Sequence, residues 1–367
     1  MFRLVIAGGG TGGHLYPGIA VAREVIAGSG EVLFIGAENG IEARVLPREG
    51  FALKTIRAGK FKGMGMANKI RTLGMIPSGV LASMDAIKGF GPQAVLGVGG
   101  YASFSALIAA KLLGLPVVIQ EQNAIPGLTN RVLGKFADRV ALGFSDAEGY
   151  FPKGRSTYTG NPVRAELSKA DRATSFKAFG LDVGRTTVLV FGGSGGAHTI
   201  NKGVTDALPL IGGLRTSVQF IHQTGERDLQ MVQDAYDKSG VKAGVLPFIY
   251  DMAGAYACAD LVVCRSGALT IAELAALGKP AVLVPYPHAA NNHQAANARV
   301  MERAGAARLL MDSDADGRRF ASEVTALILD KATLSEMSGR SLALGRPDAA
   351  KRVLEICMVA GGGKPGV

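Results

Sequence analysis

The sequence predicts an α/β protein of two Rossmann-like doubly wound domains facing a cleft. Two observations carry this expectation. Glycine-rich turns follow a short apolar strand near each end of the chain, in LVIAGGGTGGH (Leu4 to His14) and VLVFGGSGGA (Val188 to Ala197). Each turn then opens its own series of apolar runs of strand length with helical patterns between them. Gly8 and Gly192 stand 184 residues apart, about one domain length.

In the first series the expected strands are Leu4–Ala7, Val32–Ile35, Ala94–Val98, Pro116–Gln120 and Arg139–Leu142. The second comprises Thr187–Phe191, Ser217–His222, Gly244–Phe248, Leu261–Cys264 and Pro280–Pro285. Near-continuous Val, Ile and Leu in short runs is the pattern of parallel strands covered on both faces. Phe151 to Arg164 (FPKGRSTYTGNPVR) is rich in Pro, Gly, Ser and Thr and reads as a hinge. Residues 1–162 and 163–345 are the expected domains, with a final helix at about 346–360 packing back on the first. Ligands of open α/β sheets sit beyond the carboxyl ends of the strands, and the polar and glycine-rich clusters of this chain follow the strands accordingly.

Composition narrows the class. The 367 residues are 48% hydrophobic and 19% charged, which excludes a disordered or fibrous chain. A net charge of +10 favours acidic partners: nucleic acid, anionic lipid or phosphorylated substrates. Three cysteines (Cys258, Cys264, Cys357) show no metal-ligand spacing and fit a reducing compartment. Met1 to Ala7 reads as the first strand rather than a secretory signal. No stretch reaches the ~20 apolar residues that span a bilayer.

The first loop satisfies the dinucleotide fingerprint through Gly8, Gly10 and Gly13, with Glu38 as the ribose acid. A nicotinamide enzyme is therefore one reading. Against it, the loop recurs in the second half, and His14 sits at the helix mouth. An imidazole there would crowd a pyrophosphate but could face a substrate hydroxyl. In the second loop Gly192, Gly193 and Gly196 let the backbone approach a diphosphate while Ser194 offers a hydroxyl. RSGALTIAE (Arg265 to Glu273) turns at Ser266 and Gly267, so that the amides of Ala268 and Leu269 open a helix toward a phosphate. Glu273 lies one to two turns in, where a carboxylate can accept both ribose hydroxyls. EQNAIPG (Glu121 to Gly127) places an acid and two amides at a strand end. The run DSDAD, Asp312 to Asp316, reads as a helix cap in preference to a metal site.

Between Glu49 and Asp85 there is no acid. Lys60, Phe61, Lys62, Lys69, Ile70, Arg71, Leu73 and Ile76 mix cations with apolar residues, and four glycines argue for a mobile loop with a short helix. Such a surface suits an anionic membrane, at ~1 kcal/mol per cation. Nucleic acid is disfavoured because no stacking aromatics accompany the charges.

GGGTGGH, EQN, GNPVR, GGSGGA, CRSGALTIAE and a late HQ pair, in this order, resemble the MurG family of UDP-N-acetylglucosamine:lipid I N-acetylglucosaminyltransferases. The resemblance implies the GT-B fold, with the donor bound mainly to the second lobe and the lipid acceptor to the first. By position, Thr11, Gly12 and Gly13 would face the donor sugar and the acceptor diphosphate. Asn123 would contact the sugar, and Arg164 and Ser194 the nucleotide and its phosphate. Ile249 would clamp uracil through its backbone, Ala268, Leu269, Thr270 and Glu273 would line the sugar and ribose, and Gln294 would hold sugar hydroxyls. Gly195 stands where the family usually has glutamine, and Asn291 and Asn292 where many members have aspartates.

The implied reaction is an inverting transfer of GlcNAc to the C4 hydroxyl of MurNAc in lipid I, giving the β-1,4 link of lipid II. His14 is the expected base, with Glu121 as the alternative or as the group that orients it. No cofactor and no divalent metal are expected. Implied partners are UDP-GlcNAc, undecaprenyl-linked lipid I, the anionic inner-membrane surface on its cytoplasmic face, and the cell-wall and division machinery. An epimerase of the same fold and a non-catalytic nucleotide-sugar binder are the alternatives.

Overall fold

The computed structural model describes residues 1–56 and 66–363, the side chains of 66–74 apart. The chain divides into two compact units, Met1–Arg164 with Arg346–Val367, and Ala165–Gly345.

The first unit is built on a parallel sheet of β1 (Arg3–Ala7), β2 (Glu31–Ala37), β3 (Ala52–Ile56), β4 (Ala94–Gly97), β5 (Val117–Glu121), β6 (Arg139–Leu142) and β7 (Ser156–Tyr158). Its helices are α1 (Gly12–Ala27), α2 (Glu42–Val45), α3 (Met66–Phe90), α4 (Tyr101–Leu112) and α5 (Leu128–Leu133). In the second unit the strands are β8 (Thr186–Phe191), β9 (Val218–Gln223), β10 (Ala243–Leu246), β11 (Leu261–Cys264), β12 (Ala281–Leu283) and β13 (Ala307–Leu309). Around them lie α6 (Arg172–Ala178), α7 (His198–Ala207), α8 (Leu229–Ser239), α9 (Met252–Cys258), α10 (Ala268–Ala276), α11 (His293–Arg303), α12 (Gly317–Leu329) and α13 (Lys331–Leu344). The last helix, α14 (Ala349–Ala360), belongs to the first unit.

Strand alternation explains the layers. In β1, Val5 and Ala7 enter one buried cluster with Ala102, Ala106 and Leu107 of α4. Leu4 and Ile6 enter the opposite cluster with Leu15, Ile19 and Val25 of α1 and Val353 and Cys357 of α14. A strand buried on both faces has to be apolar throughout, which is why LVIA reads as a continuous run.

Strand order is β3-β2-β1-β4-β5-β6-β7 in the first sheet and β10-β9-β8-β11-β12-β13 in the second. Each sheet therefore reverses its winding beside its first strand, between β1 and β4 and between β8 and β11. These are the topological switch points, where a crevice opens between diverging loops. The two glycine loops leave β1 and β8, at these points.

Three strands escape the sequence reading, and all three are sheet edges: β3, β7 and β13. They are short or partly exposed, so no apolar run marks them. β7 falls within the stretch 151–164 that composition marks as a hinge. α3, expected as a short helix, runs for 25 residues and is carried through Pro77. Val80 and Ile87 of α3 are buried in the α4-side cluster, and this tertiary burial overrides the local breakers.

Candidate active site

In the first unit, β1 ends at Ala7 and the chain passes through Gly8, Gly9 and Gly10, all at positive φ, before α1 begins. Glu42, from α2, holds this turn. It is fully buried, and its two carboxyl oxygens accept the N–H groups of Gly10 and Ala37, each at 2.8 Å. Any Cβ at Gly9 would collide with that carboxyl group, so the position requires glycine for space as well as for its φ of 140°. The Gly9 N–H donates to the Gly99 carbonyl at 3.2 Å, locking the β1 loop to the loop that leaves β4.

His14 lies in the first turn of α1, half-buried. Its Nδ1 is 3.3 Å from the Gly9 carbonyl oxygen and 3.3 Å from Thr11 Oγ1. A proton on Nδ1 shared with these oxygens puts the basic lone pair on Nε2. The Nε2 edge packs against Gly99, where a Cβ would press on the ring.

Glu121 ends β5 and spends its carboxylate on its own loop. Oε1 accepts from the Asn123 N–H at 2.8 Å and Nδ2 at 3.2 Å; Oε2 accepts from Asn130 Nδ2 at 2.9 Å and the Gly127 N–H at 3.2 Å. Burial pushes its pKa above the usual carboxylate value, against the lowering effect of these four bonds. This geometry is that of a loop organiser more than of a proton acceptor. Behind it, Gln120 Nε2 donates to Asn161 Oδ1 at 2.8 Å, and Asn161 Nδ2 donates to the Gln122 carbonyl at 2.9 Å. The GNPVR stretch is thereby tied to the end of β5. Its last residue, Arg164, stacks over the ring of Tyr16 of α1 at 5.4 Å.

In the second unit, the loop after β8 meets the loop after β9 backbone to backbone. A Cβ at Gly196 would run into the Thr224 carbonyl, and Gly196 has a φ of 74°, so the turn closes only with glycine. Ser194 and Gly195 form its exposed rim. Gln223, at the end of β9, fixes two neighbours at once. Its Nε2 donates to the Gly193 carbonyl at 2.7 Å, and its Oε1 accepts the Ile249 N–H at 2.8 Å. The Gly192–Gly196 loop and the Ile249 segment are thus one assembly.

Beyond β11, Ser266 is buried and its hydroxyl donates to the Gln294 carbonyl at 2.9 Å. The turn is extended at Gly267 and α10 opens at Ala268, Leu269 and Thr270. Glu273 follows on the second turn, and the hydroxyl of the fully buried Tyr256 donates to its Oε2 at 3.0 Å. Gln294, in the first turn of α11, accepts the Tyr286 N–H on Oε1 at 2.9 Å. Asn291 and Asn292, just before it, both adopt left-handed backbone, a conformation that asparagine tolerates well.

A buried polar chain backs the β8 loop. Asn201 Nδ2 donates to the Thr224 carbonyl at 2.8 Å and to Asp228 Oδ2 at 2.9 Å, so its Oδ1 faces His222 Nε2 at 3.0 Å. His222 therefore carries its proton on Nε2 and accepts from the Tyr236 hydroxyl on Nδ1 at 3.2 Å. Burial pushes its pKa down to about 3, so it stays neutral.

The late acidic run has two structural tasks. Asp316 caps α12 by accepting the Arg319 N–H at 2.8 Å, and Asp312 pairs with Arg265. Among the described residues, no group of three or more His, Cys, Asp or Glu is placed to hold a metal ion. A cleft of about 480 Å³ lies at the opposite end of the second sheet, beside Thr186, Asp260 and Pro280. Of the cations that line it, Arg172 pairs with Asp260, Arg185 with Asp182, and Lys279 donates to the Ala259 carbonyl.

Of the expected site residues, Thr11, Gly12, Gly13, His14, Glu121, Asn123 and Arg164 lie in the first unit. Ser194, Ile249, Ala268, Leu269, Thr270, Glu273 and Gln294 lie in the second. Lys60, Phe61 and Lys62 fall outside the described residues, as do the side chains of Lys69, Ile70, Arg71 and Leu73. Ile76 is half-buried and packs on the first unit's core. Sequence reasoning missed Glu42, Gln223 and Tyr256, whose roles depend on partners distant in the chain.

Two doubly wound parallel units, with glycine loops and a helix N-terminus at their switch points, define the GT-B class of fold. The N-terminal domain of glycosyltransferase family 28 matches residues 4–142, and its C-terminal domain matches residues 187–353. A UDP-N-acetylglucosamine--N-acetylmuramyl-(pentapeptide) pyrophosphoryl-undecaprenol N-acetylglucosamine transferase from Syntrophus aciditrophicus (strain SB) is 43% identical over 358 residues, 97% of this chain and 98% of that protein. Its namesake from Geobacter sp. (strain M21) is 46% identical over 355 residues, 96% of this chain and 94% of its own length. The crystal structure of MurG from Acinetobacter baumannii, 30% identical, aligns with a TM-score of 0.78 over 97% of this chain and 99% of that one. A UDP-N-acetylglucosamine 2-epimerase described as putative, from Listeria monocytogenes, is 14% identical and shares the fold at a TM-score of 0.70, over 96% of this chain and 95% of its own. The chain belongs to the MurG family of N-acetylglucosamine transferases.

Proposed function

We propose that this enzyme transfers GlcNAc from UDP-GlcNAc to the C4 hydroxyl of MurNAc in lipid I, with inversion, to give lipid II. The observation that carries the reading is the donor assembly of the second unit: the Gly192–Gly196 loop, the start of α10, and a Glu273 aimed by Tyr256. The α10 amides and Ser194 meet the diphosphate, where a helix N-terminus stabilises the charge that develops on departing UDP. Glu273 accepts the ribose hydroxyls, and the Ile249 carbonyl accepts the uracil N3–H. Gln294 holds the sugar. In the reacting step the acceptor oxygen bonds to the anomeric carbon as the bond to the UDP oxygen breaks. The hydroxyl proton passes to His14 Nε2. Glu121 shapes the loop that carries Asn123.

No helix among the described residues is long and apolar enough to cross a membrane. We read the enzyme as peripheral, on the cytoplasmic face of the inner membrane, held by the cations and apolar side chains between Lys60 and Leu73. The cell-wall and division machinery are its expected neighbours.

UDP release from UDP-GlcNAc, followed with and without a lipid I analogue, tests the reading. Release that depends on the acceptor and yields the disaccharide lipid is expected. A new free sugar nucleotide formed from donor alone would make the protein an epimerase, and binding without release would make it a sensor.

A further inference from the structure

The peptide group between Gly9 and Gly10 is gripped from both sides. Its N–H donates to Glu42 Oε2 at 2.8 Å, and its carbonyl oxygen lies 3.3 Å from His14 Nδ1. Glu42 is fully buried, and its other oxygen accepts the Ala37 N–H. Three glycines, Gly9, Gly36 and Gly40, make room for its side chain: a Cβ at Gly9 or Gly40 would collide with the carboxyl group, and one at Gly36 with Cγ. A buried carboxylate is costly to keep, and this one is caged at the turn that presents the imidazole.

We propose that Glu42 is a positioning residue for His14 and acts through this peptide group. Its negative charge polarises the Gly9–Gly10 amide and strengthens the Gly9 carbonyl as an acceptor. The acceptor holds the imidazole proton on Nδ1 and makes Nε2 the stronger base. The chain carboxylate, peptide, imidazole does the work that a carboxylate in direct contact with a histidine does elsewhere. The inference rests on the reading of His14 as the base.

From its own helix and loop His14 meets Thr11 and Gly9, and from the β4 loop it meets the backbone of Gly99. Glu121, on β5, is engaged by its own loop, and Arg164 stacks on Tyr16 of α1.

The test is the pH dependence of kcat/KM for the full chain with UDP-GlcNAc and a lipid I analogue, in wild type, Glu42→Gln and Glu42→Asp. Loss of the charge in Glu42→Gln should move the acid limb to lower pH by roughly half a unit and lower the plateau about 3–10-fold. Glu42→Asp, which keeps the charge, should restore the position of the limb. An unmoved limb in Glu42→Gln, with or without a uniform loss of activity, overturns the proposal. If that variant does not fold, ¹⁵N NMR of wild-type histidines decides. Neutral His14 should carry its proton on Nδ1, and the Nε2–H tautomer would contradict the proposal. Near-normal turnover in His14→Ala would instead overturn the base reading itself.

Discussion

The two glycine loops look alike in sequence and leave equivalent strands, yet they are chemically opposite. In the first, an internal carboxylate occupies the Gly10 amide, the place where a phosphate would sit in a dinucleotide site. The second is braced by a neutral amide instead: Gln223 donates to a carbonyl, and none of the described hydrogen bonds brings a carboxylate to the Gly192–Gly196 amides. On the reading proposed above, the same turn serves a base in one unit and an anion in the other. A glycine motif specifies close backbone approach; its surroundings decide what approaches.

The largest effect that separates the loops is at His14. His14→Ala should lower kcat about 10²–10⁴-fold, the range of general-base assistance, while the Kd for UDP, measured by calorimetry, stays within twofold. Weakened UDP binding would place the histidine in the donor site and erase the contrast.

Backbone space gives the next effect. Gly196→Ala forces a methyl group onto the Thr224 carbonyl and should weaken UDP binding by roughly 10–100-fold, corresponding to about 1–3 kcal/mol of strain. Gly10→Ala, at a φ of 83° with no atom within 4 Å of the added carbon, should leave the Kd for UDP unchanged.

A smaller effect sharpens the donor side. Tyr256→Phe removes the hydroxyl that aims Glu273 and should raise KM for UDP-GlcNAc about 3–10-fold, the worth of one net hydrogen bond. With a 2′-deoxyribose donor the same variant should differ less from wild type. Equal losses with both donors would reduce Tyr256 to packing.

A further contrast is in stability against pH. His222 takes no proton in the folded second unit until about pH 3, whereas the unfolded chain takes one near 6.5. Its contribution is complete above pH 6.5 and is lost as pH falls toward 3. Glu121 in the first unit has a raised pKa, so the folded state holds its proton more tightly than the unfolded chain. Its contribution is complete below pH 4.5 and is lost as pH rises through the folded value. Hydrogen exchange, corrected for intrinsic rates, should show β9 amides losing protection relative to β5 amides between pH 6.5 and 4.5. Parallel loss in both strands would contradict the assignment.

Much of this molecule was legible in the sequence because its central strands are buried on both faces. LVIA and VLVF announce themselves as runs, and the loops after them carry glycines that steric crowding demands. Edge strands such as ALKTI and ARL have one neighbour and partial exposure, so their composition approaches that of loops. The supporting side chains were illegible for another reason. Glu42 lies 32 residues from the Gly10 amide it binds, inside an ordinary-looking NGIEAR stretch. Gln223 and Tyr256 sit among core positions, and their polar ends acquire meaning only when strands β8 to β10 and helices α9 and α10 come together. Asn201 and His222, a helix and a strand apart, form their bond for the same reason. The residues proposed to touch substrate left a motif; those that hold them left none.

The central claim is that the diphosphate of UDP is gripped by second-unit amides and excluded from the Gly9 and Gly10 amides of the first loop. Backbone ¹H–¹⁵N shifts of the full chain, recorded during titration with UDP in the presence of a chelator, test it most directly. The account predicts the largest changes at Ser194, Gly195, Ala268 and Leu269, with Gly9 and Gly10 unmoved. Comparable shifts at Gly9 and Gly10, or binding that appears only when a divalent ion is supplied, would contradict it.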